Sequence, residues 1–203
     1  SIYLHCDYHA NAHLRILMDK IFGDNNFKNE IIWHYRRWTA PGNKFQKLHD
    51  TLYFYTKSGK YNFNILYTPY TEGSVARKLQ GTLHRFKKGE PPLLVSVKSV
   101  PDKGVPENDV WQIPFVAPSA KERLGYPTQK PLALLERIIL TSSNQGDTVL
   151  DPFCGSGTTI IAAQKLKRKW IGIDISDVAC AKIEARLRSA SINDYRSIKL
   201  ARC

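Results

Sequence analysis

Residues 148–163 run Thr-Val-Leu-Asp-Pro-Phe-Cys-Gly-Ser-Gly-Thr-Thr-Ile-Ile-Ala-Ala, and this stretch constrains the fold more tightly than any other. A short apolar run ends in an acid, Asp151. A Pro-Phe-Cys-Gly-Ser-Gly turn follows, then a threonine-rich helix start. The pattern predicts a strand, a tight glycine turn and a helix N-terminus. Gly155 and Gly157 let backbone approach a ligand closely, and the first helical turn offers unpaired N–H groups. A second apolar run, Trp170-Ile171-Gly172-Ile173, ends in Asp174. Its distance from the first turn, roughly 20 residues, is the spacing at which an acid takes ribose hydroxyls in a βαβ nucleoside site. The predicted ligand therefore carries a ribose.

Two common nucleotide fingerprints do not fit. A dinucleotide site reads G-x-G-x-x-G, and the third glycine position is Ile160 here. A phosphate-cradling loop needs G-K-[ST] at the helix start, which this turn lacks. Asp151 would also repel a pyrophosphate, whereas it suits a cation such as the ammonium of an amino acid. An adenosine joined to an amino acid is S-adenosyl-L-methionine (SAM). The bland alternative is a β-turn-α corner with no ligand, which would not need a strand-end acid, paired glycines and a second acid together.

With these residues in view, Asp151 to Thr159 resembles the SAM-binding motif of the amino-group DNA methyltransferases, which make N6-methyladenine or N4-methylcytosine. Tyr126-Pro127-Thr128-Gln129-Lys130-Pro131 resembles the second cofactor motif of that family, and Gly172-Ile173-Asp174-Ile175-Ser176 its acid-bearing strand end. The order is similar to the subgroup whose cofactor half is C-terminal, which includes many modification subunits of restriction systems. The likeness is sharpest from Arg123 to Arg188. It implies an α/β fold: a Rossmann-like, SAM-dependent methyltransferase sheet in three αβα layers, incomplete here, with an inserted target-recognition region. It divides the chain into residues 1–56 (end of the catalytic subdomain), 57–118 (target recognition) and 119–203 (SAM binding).

The resemblance also implies roles. Asp151 faces the methionine ammonium. Backbone around Phe153, Cys154, Gly155, Ser156, Gly157 and Thr158 lines the methionine arm. Asp174 takes the ribose hydroxyls, and Thr128 and Lys130 hold the methionine carboxylate, unless Lys130 only orients its loop. His5 and Asp7 are placed near the cofactor or target pocket.

Composition agrees with a nucleic-acid partner. The formal net charge is +12, which suits a polyanion, although solubility alone also accounts for it. Arg36-Arg37-Trp38 and Lys44, beside Tyr35 and a Pro-Gly turn, mix phosphate-pairing charge with stacking surface and are the candidate DNA contacts, though each aromatic could instead be core. No apolar run approaches the roughly 20 residues that cross a bilayer, so no membrane partner is expected. The four cysteines, Cys6, Cys154, Cys180 and Cys203, form no C-x-x-C pair, giving neither a zinc site nor a disulfide framework. A reduced, cytoplasmic setting in a bacterium or phage is the expectation. Cys154 reads as a small residue packed beside the cofactor rather than as a nucleophile.

Periodicity adds the remaining elements. Ser1–Leu4, Glu30–Tyr35 and Thr51–Tyr55 read as strands. His9–Phe22 reads as a helix with Leu14, Leu17, Met18 and Ile21 inward, stopped by Gly23. Thr71–Phe86 reads as a helix carrying Arg77, Lys78 and Arg85, Pro91–Val97 as a short strand, and Pro101–Asn108 as a loop. Trp111 is expected against the sheet near the cofactor motif. Pro131–Leu140 reads as a helix with Leu132, Leu135, Ile138 and Ile139 inward, and Ser176 as the N-cap of a helix over Val178–Leu187.

Methyl transfer to an exocyclic amine needs a group that accepts hydrogen bonds from that amine and a surface that stacks on a base flipped out of double-stranded DNA. The family supplies both with a [DNS]-P-P-[YFW] motif. These 203 residues hold no such motif: Glu90-Pro91-Pro92-Leu93 has the wrong first residue and no aromatic. The catalytic set within the chain is therefore empty, and no metal is expected. A fragment, a split enzyme and an inactive SAM- and DNA-binding module that needs a partner chain are the three readings. A second copy of the chain or a restriction subunit are the protein partners that the resemblance allows.

Overall fold

The computed structural model describes residues 1–37, 40, 42–79, 82–85, 93–96 and 103–199, with side chains for all of these but 76–79, 82–85 and 93–96. Its contacts divide into two units, Ser1–Asn64 with Asp109–Cys203, and Ile65–Asn108.

In the first unit, runs rich in β-branched and aromatic residues make the strands. Strand β1 (Ile2–Cys6) is followed by helix α1 (Asn11–Phe22), then by β2 (Phe27–His34) and β3 (His49–Tyr55). In the second unit, β4 (Tyr67–Thr68) pairs antiparallel with β7 (Val105–Pro106). Between these lie α2 (Glu72–Leu79), β5 (Thr82–Arg85) and β6 (Leu93–Ser96), the two strands forming an antiparallel pair. The chain returns to the first unit through β8 (Val110–Gln112), α3 (Leu132–Ser142), β9 (Thr148–Asp151), α4 (Thr158–Lys165), β10 (Lys169–Gly172) and α5 (Asp177–Ser189).

The larger sheet has the order β1-β3-β2-β8, with β2 and β8 parallel and the other pairs antiparallel. Strand alternation gives it two faces. Leu52 and Phe54 of β3 pack with Ile31, Trp33, Trp111, Ile113 and Leu134 of α3. Tyr53 and Tyr55 turn the other way and pack with Cys6 and Met18 of α1. The Tyr55 hydroxyl donates to Asp19 at 2.5 Å, and the Arg15 guanidinium both pairs with Asp19 and lies 3.5 Å from the centre of the Phe27 ring. These contacts pin α1 to its face.

Strands β9 and β10 form a parallel pair joined by α4, a βαβ unit. Val149 and Trp170 pack under α4 and α3, against Ile139, Ala162 and Ala163. Helix α3 thus serves both sheets on one side. The opposite face of the pair is bare: Leu150, Ile171 and Ile173 are each more than half exposed. Among the described residues β1 pairs only with β3 and β9 only with β10, so each keeps one edge without a ladder partner.

Several expectations need correction. In α1 only Leu14 and Met18 of the four expected residues turn inward; Leu17 and Ile21 are exposed, as is Ile16. The expected helix over Thr71–Phe86 ends at Leu79, and Thr82–Arg85 pairs as a strand instead, because Leu93–Ser96 offers it a ladder. Part of the expected 101–108 loop is the short strand β7. Trp111 is itself in a strand, paired with Trp33 across β2 and β8. In α3 the most buried side chain is Leu134, which the inward set omitted. Ser176 caps α5 as expected, its hydroxyl accepting from the Ala179 N–H at 3.3 Å. No helix among the described residues is long and apolar enough to cross a membrane.

Candidate functional site

The glycine turn between β9 and α4 is held by both strand-end acids. Asp151 Oδ1 accepts from the Phe153 N–H at 3.1 Å, and Oδ2 accepts from the Thr159 hydroxyl at 2.5 Å. Asp174 Oδ2 accepts from the Gly155 N–H at 2.7 Å, and Oδ1 accepts from the Ser176 N–H at 2.9 Å. An ionised carboxylate offers about four lone-pair positions, so each acid retains acceptor capacity for a ligand. The Cys154 N–H donates to Ile173 O at 3.0 Å, which ties the turn to the end of β10.

Two glycines in this region are sterically required. Gly157, the N-cap of α4, sits at φ 74°, and a Cβ there would lie 2.9 Å from Ile183 Cγ1 of α5. A Cβ on Gly172 would lie 2.4 Å from Ile160 Cδ1 and 3.2 Å from Cys154 Sγ. Cys154 is therefore wedged between α4 and β10. Burial, with Asp151 and Asp174 close by, pushes its thiol up to about 12, so it stays protonated and inert.

Tyr126, Thr128, Gln129 and Lys130 form the other wall, on a loop braced from residues 122–124. The Gln129 side chain spans the loop, donating to Glu122 O at 2.6 Å and accepting from the Leu124 N–H at 2.9 Å. The Lys182 ammonium of α5 donates to Leu124 O at 3.2 Å. This bracing holds Thr128 at φ 60°, and the Lys130 ammonium donates to Thr128 O at 3.1 Å. Burial lowers the pKa of Lys130.

Both walls and strand β1 line one cleft of about 910 Å³. It brings together Asp151, Phe153, Cys154, Gly155, Ser156, Thr158, Thr128 and Lys130, eight of the ten expected cofactor residues. Gly157 and Asp174 are not among the lining residues; Asp174 reaches the turn through Gly155. Phe153 is 85 % and Ile175 94 % exposed, so apolar surface flanks the acids. His5 lines the cleft, whereas Asp7 does not and instead accepts from the His9 N–H at 3.0 Å.

Sequence reasoning gave no role to three contributors, although Tyr126 lies in the second cofactor motif. The Tyr126 ring packs on Gly155, whose added Cβ would lie 3.2 Å from it. Arg186 of α5 donates to Ser156 O at 3.2 Å and to the Thr158 hydroxyl at 3.3 Å. Its signal was a charge three positions after the inward-facing Ile183. Asp50 bonds His5, a long-range pairing that no spacing rule reveals. Of the candidate DNA contacts, Arg36, Arg37 and Lys44 are exposed on the connection from β2 to β3, and Trp38 lies outside the described residues. Among the described residues no group of three or more His, Cys, Asp or Glu side chains could hold a metal.

The DNA methylase family pattern for N6 and N4 amino methylation matches residues 1–185. The chain belongs to this family. It is 33 % identical over 180 residues to the type II methyltransferase M.HpaI of Haemophilus parainfluenzae, covering 87 % of this chain and 50 % of that protein. It is 39 % identical over 154 residues to the DNA adenine methyltransferase YhdJ of Escherichia coli K12, covering 73 % and 48 %. The crystal structure of the M1.HpyAVI–SAM complex superposes with a TM-score of 0.55 at 25 % identity, covering 91 % of this chain and 73 % of that one. The fold is thus the Rossmann-like methyltransferase fold. The chain spans about half the length of the curated relatives it matches.

Proposed function

We propose that this chain forms the cofactor-binding and DNA-facing part of a site-specific DNA methyltransferase, which moves a methyl group from SAM to N6 of adenine or N4 of cytosine. The observation that carries this reading is the glycine turn held between Asp151 and Asp174 at the wall of the cleft. Its donor set fits SAM: carboxylates for an ammonium and for ribose hydroxyls, backbone N–H groups for the amino-acid arm, and the exposed Phe153 and Ile175 for an adenine face. The cleft volume also lies in the range of small-molecule sites. When bound, SAM supplies the electrophilic methyl group. The chain's own residues bind and orient it: Asp151 the ammonium, Asp174 the ribose, and Thr128 with Lys130 the carboxylate.

The substrate is double-stranded DNA with its target base flipped into the cleft. Arg36, Arg37 and Lys44, together with Trp38, contact the duplex, and the unit Ile65–Asn108 takes part in target recognition. The names of the relatives favour an enzyme over an inactive binding module. The polar-Pro-Pro-aromatic motif comes from a segment outside these 203 residues. The open edges of β1 and β9, lining one cleft, support a strand from that segment lying between them.

Calorimetric titration with SAM tests the reading: binding at a single site, lost in Asp151→Ala, is expected, and no binding by the folded chain would sink it.

A further inference from the structure

The cleft contains a polar group that cofactor binding does not use. His5, on β1, lines it and lies within electrostatic reach of the Lys130 ammonium. His5 Nε2 lies 3.0 Å from Asp50 Oδ2 of β3, and the Tyr35 hydroxyl, just after β2, donates to Asp50 Oδ1 at 3.3 Å. The His5 ring also meets Trp33 edge-on, with 5.8 Å between centroids. Three strands therefore fix the orientation of one imidazole. Among the described residues Asp50 is the only hydrogen-bond partner of the His5 side chain. A carboxylate on Nε2 selects the tautomer that carries its proton there and leaves Nδ1 with a lone pair.

We propose that His5 is the proton acceptor for methyl transfer and that Asp50 is the residue that positions it; the proposal rests on the amino-methyltransferase reading. As the target amine nitrogen bonds to the methyl carbon, the carbon–sulfur bond breaks and its electron pair stays on sulfur. The nitrogen then carries a positive charge and must shed one proton. Nδ1 of His5 takes that proton, the Asp50 carboxylate stabilises the imidazolium, and the proton passes on to water in the open cleft. The groups that face His5 are Asp50 from β3, Lys130 from the segment before α3, Asp7 just after β1 and, through Asp50, Tyr35. Burial and then the Lys130 ammonium lower the imidazole pKa, against the opposing pull of Asp50 and Asp7. The ring is thus neutral, as an acceptor must be, near pH 7.

Two measurements decide the matter. Long-range ¹⁵N–¹H correlation of ¹⁵N-histidine-labelled chain at pH 7.5 should show His5 as the Nε2–H tautomer, and Asp50→Asn should erase that preference. A predominant Nδ1–H tautomer overturns the proposal whatever the enzyme does. In the longest polypeptide its gene encodes, His5→Gln retains a donor toward Asp50 but has no basic nitrogen. Single-turnover methyl transfer should fall by about 10²- to 10⁴-fold, with SAM and DNA affinities within twofold of wild type. Added imidazole should raise the rate of His5→Ala. An unchanged rate, or a loss matched by weakened SAM binding, assigns His5 a structural role only. Absence of transfer by the wild-type protein fails the functional reading itself, and the proton-acceptor role with it.

Discussion

The Gly155 N–H donates to the Asp174 carboxylate at 2.7 Å, so the acid two residues beyond β10 also holds the turn that follows β9. On the proposed reading, Asp174 serves both the ligand and the loop that receives it. Asp174→Ala should weaken SAM binding by about tenfold or more, since a charge-assisted hydrogen bond contributes roughly 1.5–3 kcal/mol. Titration calorimetry on wild type and variant checks this. Equal affinities would remove Asp174 from the site.

Arg36 and Arg37 stand exposed on the β2–β3 connection in a chain of net charge +12. Phosphate contacts release counterions, so DNA affinity should fall steeply with salt. Replacing both arginines with alanine should flatten the slope of log affinity against log salt by about 2, since each neutralised phosphate adds roughly 0.9 to it. An unchanged slope would mean that this connection does not touch the backbone.

Residues 1–203 alone should not methylate DNA at a useful rate, because they hold no polar-Pro-Pro-aromatic motif. They should also be of low stability, with two open strand edges and the bare Leu150, Ile171 and Ile173 face. Adding a segment with that motif, in cis or in trans, should raise both the melting temperature and labelled-methyl transfer from SAM to mixed genomic DNA. Robust transfer by the isolated chain would show that the polar-Pro-Pro-aromatic motif is dispensable.

Gly157→Ala should destabilise the chain by about 1–3 kcal/mol. The left-handed conformation costs a non-glycine residue roughly 1–2 kcal/mol, and the new Cβ would press on Ile183 Cγ1 at 2.9 Å. Urea unfolding measures it; a destabilisation under about 0.5 kcal/mol, the range of an ordinary surface change, would show that the turn shifts to accommodate a methyl group.

The folded chain holds the His5 pKa below its ordinary 6.5, so the unfolded chain binds a proton more readily. This contribution to stability is fully present above the unfolded pKa and is lost as pH falls through about 6.5 toward the folded value. The urea midpoint of wild type should therefore decline more steeply below about pH 6.5 than that of His5→Gln. Parallel declines would show that His5 is not the titrating group.

What the sequence determined by itself is the β9–turn–α4–β10 unit and its two acids. Every feature there is local: an apolar run ending in Asp151, two glycines in a short turn, a second run ending before Asp174, and Ser176 placed to cap the next helix. Local steric and capping rules act over a few residues, so such a pattern is legible without the fold. Only the tertiary structure decided the rest. It turned Thr82–Arg85 from an expected helix into a strand, because a partner strand offered hydrogen bonds that periodicity does not encode. It left Leu17 and Ile21 exposed and buried Leu134, because burial depends on what packs against a face and not on the face alone. It joined His5 to Asp50 across two paired strands. Such pairings follow from sheet register and helix docking, where the free energy lies between segments distant in the chain and no short run of residues specifies it.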